Sequence, residues 1–347
     1  MSSFSPIIKK RVILAMKCLV SILFVVILLA TIDVQSLKKH LLQIDPLIAG
    51  AGVLLSFAMV AASTWKWSTL LRLQGCPLPF RQLYRWYFVG YFYSNFLPSN
   101  VGGDVARAWL ASRHARSSAT VMISIFVERF TGLILLLVLA VLMPWLRPEL
   151  LEHPAVSVGM VMGAGGLGLV GLLMVFGVRA SRLQWVRGGL LRFKFWVKAD
   201  RPGKTATLWE RLAGKLTLLS GRLGELWTIL RTRPGAMLKV SALTLLYYLL
   251  MVGNVLLAYR AFGGWADPVG VAAVLPVALM VAMIPVTLGN LGIAESAYVF
   301  YFGLVGLDGG LTLAMGLFLR MKILLLGLVG LGVQLKEPVR PESTDHS

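Results

Sequence analysis

Long apolar runs almost empty of charge constrain this chain more than any other feature, because in a bilayer only helices and closed barrels satisfy every backbone polar group. Runs long enough to span, at about 20 residues each, lie near 12–32, 47–70, 118–144, 155–178, 235–262 and 311–335. A soluble domain of 347 residues could not bury that much apolar surface: 57% of the residues are hydrophobic and only 14% are charged. The expected class is all-α, a polytopic membrane helix bundle of the inner-membrane type. Residues 1–335 form a single transmembrane domain and 336–347 a polar tail. The first run follows Lys9, Lys10 and Arg11 as in a signal peptide. Its apolar core is too long, and no small-residue cleavage site follows, so it reads as a retained helix.

Two further apolar stretches, 82–112 and 268–308, are interrupted midway. The breaks are Pro98-Ser99-Asn100-Val101-Gly102-Gly103 and Pro285-Val286-Thr287-Leu288-Gly289-Asn290. Proline removes a helix hydrogen bond, and glycine costs about 1 kcal/mol in a helix interior. Charge decides how these segments run. Residues 179–233 carry thirteen Lys/Arg, which places that loop in the cytoplasm. As single spans, the broken segments would put this loop, Arg113 and Arg116 outside. As re-entrant hairpins returning to their own side, they leave only Lys38, Lys39 and Arg147 outside, with both termini cytoplasmic. The hairpins then open from opposite faces. Each carries Pro-x-x-x-Gly, then an acid (Asp104, Glu295), then an arginine 25 residues further on (Arg129, Arg320) leading a Leu-rich helix. The expected architecture is about six full spans plus two broken hairpins in an inverted-topology repeat.

Asp104, Arg107, Glu128, Arg129, Glu295, Arg320 and Lys322 are ionisable residues within apolar segments, where each costs several kcal/mol unless paired or hydrated. The bland alternative, strongest for Glu128 and Lys322, is an ion pair that only holds the bundle together. Asp104 and Arg107 lie near the mouth of the first hairpin, where solvent would make them ordinary. Gly102-Gly103 and Gly289-x-x-Gly292 stand where a half-helix begins, and a helix N-terminus attracts an anion such as phosphate. The candidate binding set is therefore Arg129, Arg320, Glu295, Asp104, Arg107, Asn100, Gly102, Gly103, Gly289, Asn290 and Gly292, with Pro98 and Pro285 as structural breaks. Gly159, Gly163, Gly166 and Gly171 read as helix-packing positions.

A formal charge of +19 can signal nucleic acid. Here the bases lie between apolar runs, so anionic lipid headgroups are the expected partners and nucleic acid is not. Within the basic loop, Trp209, Leu212, Leu216, Leu219, Leu223, Leu226 and Leu230 mark an amphipathic helix suited to a membrane surface. Cys18 and Cys76 imply no disulfide framework, and His40, His114, His153 and His346 lack metal-ligand spacing. No nucleophile elbow, P-loop or dinucleotide fingerprint occurs. No catalytic residue, cofactor or metal is expected.

Phe96-Leu97-Pro98 through Gly102-Gly103-Asp104-Val105-Ala106-Arg107, then Glu128-Arg129-Phe130-Thr131-Gly132, resembles the first half of the lysylphosphatidylglycerol synthase transmembrane (flippase-like) family. Ile284-Pro285 through Gly289-Asn290-Leu291-Gly292-Ile293-Ala294-Glu295, then Arg320, resembles its second half. The second motif departs from the family's Gly-Gly-Leu-Gly in having Asn290, a residue that also adopts left-handed turn geometry. The resemblance implies a membrane domain that moves lipids between leaflets, without the soluble aminoacyl-transferase domain of bifunctional members. The expected cargo is an anionic phospholipid or an isoprenoid-type lipid. The rival reading is an intramembrane lipid-modifying transferase or its non-catalytic subunit. A lipid-biosynthetic enzyme docked on the cytoplasmic loop is the protein partner considered.

Overall fold

The computed structural model describes residues 40, 42–96, 102–115, 117–182, 233–284, 287 and 290–336, with 96 and 176–182 as backbone only. The first expected span, most of the basic loop with its amphipathic segment, the break residues Pro98, Asn100, Pro285 and Gly289, and the polar tail lie outside the described residues.

All regular structure among the described residues is helical: α1 (Pro46–Leu73), α2 (Phe80–Phe96), α3 (Gly102–Ser112), α4 (Ser118–Leu142), α5 (Pro154–Arg182), α6 (Pro234–Ala261), α7 (Pro268–Ala282), α8 (Ile293–Gly303) and α9 (Gly309–Lys336), with two short 3₁₀ turns between α4 and α5. Proline opens α1, α5, α6 and α7, where its missing N–H would be unpaired anyway. Two of these starts follow an aspartate cap. Asp45 accepts from the Leu47 and Ile48 N–H groups at 2.8 and 3.2 Å, and Asp267 accepts from Val269 and Gly270 at 3.2 and 2.7 Å. Helices α1, α4 (continued to Leu146), α5, α6 and α9 are long and apolar enough to cross a membrane. They match the spans expected over 47–70, 118–144, 155–178, 235–262 and 311–335.

The broken stretches fold as antiparallel helical pairs. In the first, Gly90 of α2 lies against Gly103 of α3, and Trp86 lies beside His114 with ring centroids 5.1 Å apart. In the second, the Asn290 side-chain amide donates to the Ala282 carbonyl at 2.6 Å, while Gly270 and Val305 adjoin at the far end.

The repeat has a measurable register. Pro46 and Pro234 are 188 residues apart, as are Phe80 and Pro268, whereas Gly102 and Ile293, and Ser118 and Gly309, are 191 apart. The second half (α6–α9) therefore repeats the first (α1–α4) with three residues added at the break. Exchanging the halves also maps the helix contacts onto one another: α2 on α9 exchanges with α7 on α4, α1 on α4 with α6 on α9, and α4 on α6 with α9 on α1. The central pair α1 and α6 is antiparallel, since the Asp45 N–H donates to the Ala261 carbonyl at 2.7 Å and Lys239 sits 5.6 Å from the Trp65 ring. The two halves thus run in opposite senses.

Glycines set the close crossings. A Cβ on Gly330 would run into the Phe88 backbone, and one on Gly327 into Asn95, so α2 lies flat on the second half of α9. Gly316, in the first third of α9, faces Glu295 and Tyr298 of α8. Helix α9 therefore carries both broken pairs. In α5, Gly159 packs on Val277, and Gly163 and Gly166 on α4, which is the packing role read from the sequence; Gly171 faces open space.

Candidate functional site

Each broken pair places an acid in the first turn of its second arm: Asp104 in α3 and Glu295 in α8. The N–H groups there leave a partial positive charge that favours a carboxylate. Local sequence builds both turns. At Gly103 any side chain would collide with the Gly90 carbonyl and the Ser94 hydroxyl. At the second break the chain turns through left-handed backbone at Asn290 (φ 57°) and Gly292 (φ 82°). Asn290 keeps the turn that a glycine would otherwise supply.

Around Asp104 the first half assembles a dense ion network. Arg129 of α4 grips Asp104 in bidentate fashion, Nε to Oδ2 at 2.9 Å and Nη2 to Oδ1 at 2.8 Å. Arg107 donates Nε to the same carboxylate at 3.0 Å and Nη1 to Glu128 Oε2 at 2.8 Å. Glu128 Oε1 accepts from the Tyr87 hydroxyl at 2.5 Å, and the Glu128 carbonyl accepts from Lys66 Nζ at 2.9 Å. Arg107 is also sandwiched by aromatic rings, 4.8 Å from Trp67 and 4.6 Å from Tyr87. Its side chain is 1% exposed. Arg107 is therefore enclosed by protein rather than by solvent.

The second half repeats the key pair in simpler form. Arg320 of α9 donates Nε to Glu295 Oε1 at 2.7 Å and Nη2 to the Asn290 carbonyl at 3.3 Å. Glu295 Oε2 accepts the Gly292 N–H at 2.8 Å. The anion position at the start of α8 is thus filled by the helix's own glutamate. Lys322 does not join this pair. Its Nζ donates to Asn254 at 2.5 Å and lies 4.5 Å from the Phe318 ring.

The two arginines occupy equivalent positions along their helices. Arg129 stands 11 residues into α4 and Arg320 11 residues into α9, about 16 Å from each start at 1.5 Å per residue. Their exposure differs from that of the network behind them. Arg129 leaves 61% of its side chain open, and Arg320 leaves 28% open. Tyr91, Tyr247 and Tyr298 are half-buried.

Of the expected binding residues, Asp104, Arg107 and Arg129 come together in one network, and Glu295, Arg320, Asn290 and Gly292 in another. Gly102 and Gly103 form the start of α3. Lys66 was not foreseen, although it is a lone cation within the apolar run 47–70 and meets the same criterion as the others. Tyr87 carries no sequence signal, since buried tyrosines are ordinary in a bundle.

Residues 14–330 match the family model described as the lysylphosphatidylglycerol synthase TM region. A UPF0104 membrane protein of Methanothermobacter thermautotrophicus is 22% identical over 292 residues, which is 80% of this chain and 81% of that relative. No solved structure matches the chain. This chain is a multi-pass membrane protein belonging to the lysylphosphatidylglycerol synthase transmembrane-region family.

Proposed function

We propose that the protein moves lipids between leaflets by passing a phosphate-bearing headgroup between its inverted halves. The observation that carries this reading is Arg129, an arginine within a long apolar helix, open over 61% of its side chain and held by a carboxylate. An arginine fork fits two phosphate oxygens as it fits the two oxygens of Asp104. A headgroup entering between the halves takes the place of Asp104, and at the other end it takes the place of Glu295 on Arg320. The acids return to the arginines once the headgroup leaves, so neither cation is buried unpaired. Rocking of one half against the other would open the site to each face in turn.

Charge favours an anionic cargo. The network of Lys66, Arg107 and Arg129 against Asp104 and Glu128 carries one formal positive charge in excess. The arms of the broken pairs, at 17, 11, 15 and 11 residues, reach about 16–25 Å. That is short of the ~30 Å hydrocarbon core, which favours re-entrant hairpins over full crossings. The thirteen bases of 179–233 favour that face as cytoplasmic in an inner membrane.

The transferase reading needs a carboxylate available as a base. Asp104, Glu128 and Glu295 each accept from two groups, an arginine among them in every case. The test is headgroup-selective stabilisation. Phosphatidylglycerol added to the detergent-solubilised protein should raise its thermal midpoint above that in phosphatidylcholine, and Arg129→Ala/Arg320→Ala should abolish the difference. Equal stabilisation of wild type and variant would refute the site.

A further inference from the structure

We propose that Lys322 is a proton-operated latch between the two halves, with the proton as the ligand that couples headgroup passage to pH. The inference rests on the transport reading above and deepens it by naming a coupling ion. Lys322 stands near the middle of α9, two residues beyond Arg320, and is 2% exposed. Its Nζ donates to Asn254 Oδ1 of α6 at 2.5 Å and lies 4.5 Å from the Phe318 ring. Neither partner is charged. A Cβ on Gly52 of α1 would come within 3.6 Å of the same nitrogen. The ammonium therefore lies on the seam where a helix of the first half meets two of the second.

The inverted repeat shows what this site lacks. At the 188-residue offset Asn254 corresponds to Lys66, and at the 191-residue offset Leu319 corresponds to Glu128. Both halves bring an ammonium to equivalent helix packings, α1 on α4 and α6 on α9, but from opposite helices. Lys66 reaches the Glu128 carbonyl from α1, whereas Lys322 reaches Asn254 from α9. The first half supplies an acid there and the second a leucine. Lys322 makes no ion pair among the described residues. Helices α1, α2, α6 and α8 pack against α9. Of their titratable groups, Glu295 of α8 is held by Arg320, Lys66 of α1 by the Glu128 carbonyl and Tyr87 of α2 by Glu128. On α6, Tyr248 and Tyr259 bond the Ala272 carbonyl and Thr312, and Lys239 and Arg260 lie against Trp65 and Trp265. Tyr91, Tyr247 and Tyr298 are half-buried tyrosines, none of them bonded to Lys322.

An ammonium without a counter-ion is costly to keep out of water. A neutral amine removes that cost and lets the seam stay dry. Asn254 suits both forms: its amide oxygen accepts from the ammonium, and the amide turned over donates N–H to the amine lone pair. In the exchange the Nζ–H bond breaks, its electron pair stays on nitrogen and water at the open seam takes the proton. Loss of the proton lets α9 close on α1 and α6. Its return, as water enters, hydrates the nitrogen and opens the seam, the motion that rocking of the halves requires.

The test reads leaflet exchange against pH, with the full chain in vesicles of phosphatidylcholine and phosphatidylglycerol. Wild-type exchange should be at least about fivefold faster near about pH 6 than near about pH 9, the lower end of ordinary coupling between two sites. Lys322→Met, fixed neutral, should be slow at both values. Lys322→Arg, fixed charged, should be fast at both, so the two variants lose the dependence from opposite sides. Asn254→Asp gives the ammonium a counter-ion and should flatten the dependence as well, which serves if the Lys322 variants misfold. A dependence that persists in these variants would assign it to another group, Lys66 first, and overturn the latch. Wild-type exchange that ignores pH would overturn the latch and leave the transport reading standing. The site is also read without transport. In detergent, the gain in thermal midpoint of Lys322→Met over wild type should shrink as pH rises from about 6 to about 9. That result, with no wild-type exchange of any lipid tried, would refute the transport reading and leave the proton site. A difference that does not change with pH would overturn the proton site itself.

Discussion

Replacing Arg107 by methionine isolates the worth of the first ion network. The guanidinium is 1% exposed and lies between two carboxylates, 2.8 Å from Glu128 and 2.9 Å from Asp104. Methionine fills much of the same volume between Trp67 and Tyr87, so packing is largely kept and charge is what changes. Asp104 retains Arg129, whereas Glu128 is left with the Tyr87 hydroxyl alone on its carboxylate. Breaking a buried pair in this way typically costs about 3–5 kcal/mol, because the remaining charge is uncompensated. In a chain of this size that corresponds to a fall in thermal midpoint on the order of 10 °C. The assay is thermal unfolding of the detergent-solubilised protein, read by tryptophan fluorescence and by the surviving monodisperse fraction. Adding Glu128→Gln removes the stranded charge and should restore a substantial part of the loss. The reasoning is refuted if Arg107→Met shifts the midpoint by less than about 2 °C, or if the double variant loses the sum of the two single effects.

Three further outcomes follow from the geometry. Gly103→Ala should destabilise by about 1–3 kcal/mol, since its Cβ meets the Gly90 carbonyl, whereas Gly171→Ala, with open space around it, should gain up to about 1 kcal/mol of helix propensity; paired thermal midpoints check both. Asn290→Gly should be tolerated better than Asn290→Ala by about 1–2 kcal/mol, because the residue sits at φ 57°, and unfolding of the two variants side by side measures it. Asp267, at the start of α7 and outside the spans, has its carboxyl held below the ordinary range by the hydrogen bond from Arg147 and then by the Gly270 and Val269 N–H groups. A depressed folded value means that this contribution is full above the ordinary carboxyl range, about pH 4, and is lost as pH falls through the folded value. Asp267→Asn should therefore flatten part of the acid limb of a midpoint-against-pH curve.

Much of the fold could be read from the chain because the bilayer imposes few solutions. Span length, the breaks at Pro98 and Pro285 and the sidedness of bases each bear on topology without reference to packing. The spacing of Asp104 to Arg129 and of Glu295 to Arg320 was legible for a related reason: an intramembrane acid needs a cation, and equal spacing in both halves pointed to the same pairing twice. Other features depended on three-dimensional approach. Nothing local distinguishes Arg107, sealed between Trp67 and Tyr87, from an arginine at a solvated hairpin mouth. Lys66, a single cation near the end of the run 47–70, has no partner within its own helix to mark it.

Leaflet exchange of fluorescent phospholipids in vesicles containing the purified protein tests the central claim most directly. An external reductant quenches outer-leaflet label at once and inner-leaflet label only as it crosses. Wild-type protein should speed loss of the inner-leaflet signal of an anionic phospholipid, and Arg129→Ala/Arg320→Ala should return it to the rate of protein-free vesicles. Equal acceleration by wild type and double variant, or no acceleration of phospholipids and isoprenoid phosphates alike, would contradict the account.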